Sequence, residues 1–182
     1  MRIVDLFAGC GGLSLGFEQQ AFEWWDAAIK CYEANFNHPI LKVDLSDTET
    51  AVQIIKEYQP DIIIGGPPCQ DFSHAGKRVE ASRAVLTDAY AEIVSIIKPI
   101  CFVMENVDRA QKSNAYASAR SIFKKAGYGL TEIVLDASLC GTPQKRKRFI
   151  CFGMLGKDDG FALHTFISRQ SKKVMTLRDY FG

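Results

Sequence analysis

Residues 5–18, DLFAGCGGLSLGFE, carry the strongest fold signal in this 182-residue chain. The stretch combines a strand, a glycine-rich turn and an amphipathic continuation typical of a helix. Gly9, Gly11 and Gly12 let the backbone approach a bound molecule closely, as nucleotide-type cofactor sites require. Their spacing differs from the GxGxxG fingerprint of NAD enzymes, so a cofactor site and a tight structural turn are both open interpretations.

Short apolar runs alternate with helical patterns along the rest of the chain. The runs predict strands at Ile3–Leu6, Asp61–Ile64, Cys101–Met104, Leu130–Leu135 and Phe149–Phe152. Amphipathic spacing predicts helices at Trp25–Phe36, Asp47–Tyr58, Ala84–Lys98 and Ser113–Lys125. Ser46 or Asp47 can cap the second helix, and Gly127 can end the last one. This alternation predicts an α/β fold, with a mostly parallel sheet and helices on both faces.

Composition limits the function classes. The 22 basic and 21 acidic residues give a net charge of +1, so a surface for nucleic acid would have to be local. An apolar run of about 20 residues is absent, and Asp5 lies where a signal peptide would be apolar, which predicts a cytoplasmic protein. The six cysteines form no CxxC pair and the three histidines lie far apart, so we expect no metal site and mostly core thiols.

Groups capable of chemistry follow three of the predicted strands. FAGCGG follows the first strand, GGPPCQ follows the Asp61 strand, and ENV, residues 105–107, follows the Cys101 strand. Ligands of open α/β sheets bind outside the carboxyl ends of the strands. We therefore expect these groups to converge on one edge of the sheet.

Cys69 and Glu105 are the candidate reactive groups. Cys69 lies just beyond an apolar run and after two prolines, which indicates a presented thiol rather than a core thiol. The polar segment Gln70–Arg83 is typical of a mobile loop, with Lys77 and Arg78 available to phosphates. Glu105 follows the apolar CFVM, where desolvation would raise the pKa of the carboxyl and favour a proton donor, unless it is a partnered acid at a strand end.

Three further groups suit ligand binding, each with a structural alternative. Glu23 and Trp24 can hold ribose hydroxyls and stack on adenine, or be a solvated acid beside a core tryptophan. Asp44 can accept a bond from an adenine amino group or cap a helix, although capping favours Asp47. Arg146 and Arg148, two apart at a strand entry, share a face and can grip a carbonyl oxygen or phosphate, whereas runs of cations are usually solvated.

Together these residues resemble the cytosine-5 DNA methyltransferase family. The matching strings are DLFAGCGGLSLGFE, FEWWD with ANF, GGPPCQDFS, ENV and QKRKR, in the family's order and across almost the whole chain. The resemblance implies a Rossmann-like methyltransferase fold, S-adenosyl-L-methionine as cofactor and double-stranded DNA as substrate. It implies that the cofactor is bound by Phe7, Ala8, Gly9, Cys10, Gly11, Gly12, Glu23, Trp24, Asp44, Leu45, Pro68 and Leu86.

The resemblance also assigns catalytic roles to Cys69, Glu105, Arg146 and Arg148. The thiolate of Cys69 would add to carbon 6 of a flipped-out cytosine, while Glu105 contacts the ring nitrogen and Arg148 the ring carbonyl. The implied function is DNA cytosine-5 methylation in a restriction-modification system. An RNA cytosine methyltransferase and a non-catalytic cofactor-binding subunit of a split enzyme are the alternatives.

Two features depart from the family pattern. The sequence ends soon after MTLRDYFG, where family members continue into a target-recognition region and a final motif. We therefore expect residues 1–182 to be a catalytic domain incomplete at its C-terminus, with weak or no methylation unless a second polypeptide carries that region. The link between Glu18 and Glu23 is also short for a helix followed by a strand, which indicates a deletion or missing residues.

Overall fold

The computed structural model describes residues 1–15, 20–68 and 77–182, with only the backbone described for residues 77–84. The strands in this part of the chain are β1 (Ile3–Leu6), β2 (Gln20–Glu23), β3 (Ile40–Lys42), β4 (Ile62–Gly65), β5 (Cys101–Val107), β6 (Tyr128–Asp136) and β7 (Lys147–Leu155). The helices are α1 (Asp26–Asn35), α2 (Thr48–Glu57), α3 (Lys77–Ile97), α4 (Asn114–Lys125), α5 (Leu163–Arg169) and α6 (Leu177–Phe181).

The strands form one sheet in the order β3-β2-β1-β4-β5-β7-β6. Strands β1 to β5 pair in parallel, whereas β7 runs antiparallel to both of its neighbours, β5 and β6. The predicted mostly parallel α/β sheet is therefore confirmed. Because β7 is reversed, its first residues lie at the same edge as the carboxyl ends of β4 and β5.

Helices cover both faces of the sheet, as predicted. Consecutive strand residues point to opposite faces, and on β2 Phe22 joins the large core cluster whereas Ala21 joins a second, smaller one. The large cluster includes buried residues of α2, α3 and α4. On the other face, Tyr32 of α1 packs in the cluster of Ala21, and Phe166 of α5 contacts Phe152 of β7 with ring centroids 6.1 Å apart.

Two helix ends lie where the sequence predicted them, at Asp47 and at Gly127. Asp47 is the N-cap of α2, and its side chain accepts a hydrogen bond from the Thr50 amide at 3.2 Å. Gly127 follows α4 with a φ of +96°, a conformation that glycine adopts without a steric penalty. The choice of Asp47 over Asp44 as the cap is therefore confirmed.

The start of α3 corrects one prediction. The helix begins at Lys77, so residues 77–83 are helical and the predicted mobile loop Gln70–Arg83 is wrong over that range. After Gly76 the sequence KRVEASRA contains neither glycine nor proline and is rich in helix-forming residues, so the helix extends toward the N-terminus. Residues 70–76 of the predicted loop lie outside the described residues.

One other expectation needs revision near the first glycine turn. Residues 11–15 form turns rather than a regular helix, with one helical-type bond from the Leu15 amide to the Gly11 carbonyl at 3.1 Å. β2 occupies Gln20–Glu23, so the strand that carries Glu23 is present, and a deletion or missing residues between Glu18 and Glu23 stays a prediction. Residues 16–19 are outside the described part of the chain.

The cysteines divide between core and surface. Among the described residues, Cys101 and Cys151 are buried, Cys31 is partly buried, and Cys10 and Cys140 are exposed, so the expectation that most cysteines are core thiols is wrong. Over the described residues, no helix is long and apolar enough to cross a membrane.

Candidate active site

A cleft at the carboxyl edge of the sheet joins two distant parts of the sequence. Its volume is about 370 Å³. It is lined by Phe7, Ala8, Gly12 and Leu13 from the first glycine turn, and by Gly66, Glu105 and Arg146 from the far strands. The predicted convergence of the glycine turn with Gly66 after β4 and Glu105 near the end of β5 is therefore observed.

The glycine turn is held by bonds to its own strand and to β2. Phe7 has a φ of 60°, a left-handed conformation that bulky residues rarely adopt and that is often found at functional sites. The buried carboxylate of Asp5 accepts a hydrogen bond from the Ser14 hydroxyl at 2.5 Å. This bond ties the far end of the turn back to β1, so the turn keeps one shape.

The turn leaves open space where a ligand can approach. A β-carbon added to Gly9 or Gly12 would meet no atom within 4 Å. Gly11 instead lies against the ring of Phe36, and Cys10 is exposed beside it. Hydrogen bonding with the Cys31 thiol raises the pKa of Cys10, which favours a neutral thiol at this position.

Glu23 connects the glycine turn to the start of α1. Its Oε2 accepts the Gly9 amide at 2.8 Å, and its Oε1 accepts the amides of Trp24 and Trp25 at 2.8 and 2.9 Å. A carboxylate has about four acceptor positions, so one remains for a ribose hydroxyl. The prediction that Glu23 binds the cofactor is therefore compatible with its structural role.

Trp24 is exposed rather than part of the core. Its side chain is 58% exposed, and the ammonium group of Lys42 lies 5.2 Å from the ring centroid, within the range of a cation–π contact. Lys42 is also paired with Asp26 at 2.7 Å. Because an indole has two faces, stacking on adenine would use the face that Lys42 does not cover.

Asp44 and Leu45 follow β3 and differ in what they present. Both contacts of the Asp44 carboxylate within the described residues use Oδ1, which accepts the amide and the hydroxyl of Ser46 at 2.9 and 2.6 Å. Leu45 is 3% exposed and packs in the large core cluster. A contact between Leu45 and a cofactor would therefore use its backbone.

The end of β4 passes very close to its neighbours. A β-carbon on Gly65 would lie 2.5 Å from the Leu6 carbonyl oxygen and 2.7 Å from the Tyr90 ring. A β-carbon on Gly66 would lie 3.3 Å from Oε2 of Glu105. Glycine at these two positions thus lets β4 pack on β1 and lets the Glu105 carboxylate reach the backbone that leads to Pro67.

Glu105 and Arg148 form an ion pair at the far end of the cleft. The Nε of Arg148 lies 2.8 Å from Oε1 of Glu105, and the two side chains are 25% and 29% exposed. Glu105 is therefore a partnered acid at a strand end, the alternative that the sequence left open. Arg146 is more exposed and lines the cleft, so both predicted arginines lie on the Glu105 side of the site.

Asn106 is a site residue that the sequence analysis did not select. Its side chain is 5% exposed, and its Nδ2 donates a hydrogen bond to the Pro67 carbonyl at 3.0 Å. The neighbouring Glu105 in the ENV motif has the more obvious chemistry, because a carboxyl can hold a proton. The signal for Asn106 is a second polar side chain at the end of a strand that begins with the apolar CFVM.

The remaining predicted site residues are Cys69, Pro68 and Leu86. Cys69 lies outside the described residues, so its role stays a prediction. Pro68 is exposed at the end of a described range, and Leu86 is partly buried on α3.

Burial raises the pKa of Cys101 and that of Cys151 to about 12, so neither has the lowered pKa of an activated thiol.

Comparison with known proteins identifies relatives of the whole chain. The family model described as C-5 cytosine-specific DNA methylase matches residues 1–182. The chain is 51% identical to Type II methyltransferase M.HindV of Haemophilus influenzae and 48% identical to Type II methyltransferase M.HgiDI of Herpetosiphon aurantiacus. These matches cover 100% of the chain but 62% and 61% of the relatives, so the chain spans about three fifths of their length.

Solved structures agree with the fold. A putative DNA modification methyltransferase encoded in an Escherichia coli prophage matches with a TM-score of 0.76 and 29% identity, over 98% of this chain and 53% of that one. Dnmt2 methyltransferase of S. pombe matches with a TM-score of 0.78 over 100% of this chain and 59% of that one. At 19% identity, the second match supports the fold alone.

Proposed function

The chain belongs to the C-5 cytosine-specific DNA methylase family, and from this premise we propose that it methylates carbon 5 of cytosine in DNA as part of a restriction-modification system. The observation that carries the proposal is the single cleft lined by both the glycine turn and the Glu105 side of the site. We take residues 1–182 as the catalytic domain, and we propose a cytoplasmic location beside DNA.

The residues around the glycine turn fit S-adenosyl-L-methionine, which the family and fold imply as cofactor. The cleft of about 370 Å³ is within the usual range for small-molecule sites, and Gly9 and Gly12 leave their surroundings open. Glu23 keeps an acceptor position for a ribose hydroxyl, and Trp24 and Asp44 would hold the adenine. When bound, the cofactor supplies an electrophilic methyl group.

Glu105 and Arg148 would hold and polarise the cytosine ring. Oε1 of Glu105 is paired with Arg148, so Oε2 is the atom that would hold a proton at the ring nitrogen. The Nε of Arg148 is paired with Glu105, and one N–H of Nη1 donates to the Lys147 carbonyl. Three of its five N–H groups therefore remain for the ring carbonyl oxygen, where they would stabilise developing negative charge.

Cys69 would be the nucleophile. Its thiolate would form a bond to carbon 6, which moves the electron pair of the ring double bond toward carbon 5 and makes that carbon nucleophilic. Loss of the carbon 5 proton after methylation would reform the double bond and release the thiolate. Because the ring face is covered in a stacked duplex, the cytosine must first be flipped out.

The charge distribution supports a polyanionic substrate. Residues 137–182 contain nine lysines and arginines against three acidic residues, whereas residues 1–136 contain 13 against 18. This basic part of the chain includes Arg146, which lines the cleft. Backbone bonds connect its segments, with the Ala137 amide on the Arg146 carbonyl and the Met175 amide on the Ser138 carbonyl. We propose that it contacts the DNA backbone.

Covalent trapping tests the proposed function. Duplex DNA containing 5-fluorocytosine should form an adduct with the protein when the cofactor is present, because fluorine at carbon 5 blocks the final elimination. Cys69→Ser should abolish the adduct, and Cys140→Ser, a control at an exposed thiol outside the cleft, should leave it unchanged. An adduct that survives Cys69→Ser, or methylation of RNA in preference to DNA, would refute the proposal. A second polypeptide that carries target recognition stays a prediction, tested by adding such a partner to the same assay.

A further inference from the structure

We propose that Asn106 is a positioning residue that holds the backbone leading to Cys69, an inference that rests on the proposed function. The residues between β4 and Cys69 are Gly66, Pro67 and Pro68. The two prolines have no backbone N–H, so this part of the segment cannot be fixed by donating to a neighbouring strand. Its carbonyl groups are the means by which the protein can hold it.

Asn106 supplies that attachment from the adjacent strand. Its Nδ2 donates to the Pro67 carbonyl at 3.0 Å, although the two residues are 39 apart in sequence. Both residues are buried, so water does not compete readily for the bond. In a buried site, a carbonyl left without its donor is costly, which makes this bond a strong local constraint.

The orientation of the amide is itself determined. Oδ1 of Asn106 accepts the amide of Val107 at 2.8 Å, so the NH₂ end must be the one that faces Pro67. On the preceding residue, the Glu105 carboxylate lies against Gly66. Successive residues at the end of β5 thus contact successive residues of the segment.

An Asn106→Asp variant separates a positioning role from simple packing. The replacement keeps the shape of the side chain, but an ionised carboxylate cannot donate to the Pro67 carbonyl, whereas a protonated carboxyl can. The methylation rate of the variant, divided by that of the unmodified protein, should therefore rise as the pH falls. At alkaline pH we expect the rate to be reduced by about 100-fold, the effect of misplacing a reacting group by about 1 Å.

Dividing the rate of the variant by that of the unmodified protein cancels the pH dependence that neighbouring charged groups give to both proteins. The charged groups near Asn106 are Glu105, Asp108 and Arg109 on its own strand and the following turn, and Arg148 on β7, opposite Val107. All four are present in both proteins. Asn35→Asp is a matched control, because it removes an amide donor to the Cys31 carbonyl at 2.7 Å at an exposed position of α1. Its rate ratio should not change with pH.

Alkylation of Cys69 by iodoacetamide, measured by mass spectrometry without DNA or cofactor, keeps the test independent of the proposed function. Loss of one hydrogen bond should let the segment open more often, so Asn106→Asp should accelerate alkylation by about fivefold at alkaline pH and not at acidic pH. If the variant does not fold, Asn106→Ser, whose hydroxyl does not titrate in this range, should show a similar acceleration at both alkaline and acidic pH. A pH-independent methylation ratio, or unchanged alkylation, overturns the proposal. Altered alkylation with no methylation by the unmodified protein, even after a partner that carries target recognition is added, overturns only the proposed function.

Discussion

A methyl group added at Gly66 should reduce catalysis while leaving the fold intact. In Gly66→Ala the new β-carbon would lie 3.3 Å from Oε2 of Glu105 and 3.8 Å from its carbonyl oxygen. The first contact is tighter than ordinary packing, and it involves the far end of a side chain, which can move. The carboxylate should therefore shift by a few tenths of an ångström, while the backbone remains in place.

The neighbouring position provides a matched control with the opposite expectation. In Gly65→Ala the β-carbon would lie 2.5 Å from the Leu6 carbonyl oxygen and 2.7 Å from the Tyr90 ring. The first of these is a backbone atom within the sheet, which cannot move without disturbing β1. Overpacking of this kind costs about 1–3 kcal/mol, so this variant should lose stability.

Gly66→Ala should therefore lower the methylation rate, whereas Gly65→Ala should lower stability. Gly66→Ala should change the free energy of unfolding by less than about 1 kcal/mol. It should lower the single-turnover methylation rate by about 10-fold, because Oε2 is the atom proposed to hold the proton at the cytosine ring and a displacement of 1 Å can cost about 100-fold.

Urea unfolding and single-turnover methylation on one duplex measure the two effects. Cofactor binding, followed by tryptophan fluorescence, shows whether the loss lies in the cofactor end of the cleft. Full activity in Gly66→Ala would show that Glu105 does not act from its observed position. Equal loss of stability in both variants would show that the proposed division between fold and site is wrong.

Two further predictions concern the adenine end of the cleft and acid stability. Asp44→Asn should weaken cofactor binding by about 10-fold in calorimetry, because an NH₂ group would face the adenine amino group. Asp47→Ala should lose the α2 cap and about 1 kcal/mol of stability. Weaker cofactor binding in Asp47→Ala together with lower stability in Asp44→Asn would exchange the two roles. Hydrogen bonds from Lys124 and the Leu130 amide lower the pKa of Asp159. The ionised Asp159 carboxylate therefore stabilises the fold fully above the ordinary carboxyl pKa of 3.8, and this stabilisation is lost as the pH falls through the lowered pKa. The difference in urea stability between Asp159→Asn and the unmodified protein should shrink over that acid range, and a difference independent of pH would contradict the assignment.

Local patterns in the sequence determined the central part of the fold and the family. β1, β4 and β5 each contain a run of at least two consecutive apolar residues. Asp47 begins α2 and Gly127 follows α4, each through a bond to a residue three positions away. The order of the motifs around the strand ends was sufficient to indicate both the chemistry and the edge of the sheet where it gathers. β2 (QAFE) and β3 (ILK) contain only two apolar residues each, too few to mark a strand.

The tertiary structure alone decided which partners the site residues take. Glu105 meets Arg148 and Asn106 meets Pro67 because β4, β5 and β7 are neighbours in the sheet, and strand order depends on packing between segments far apart in the chain. Glu23 likewise accepts three backbone amides, which no spacing in the sequence indicates. A side chain's chemistry is a local property, whereas its hydrogen-bond partners depend on non-local packing, and for this reason the sequence predicted the functional groups but not their contacts.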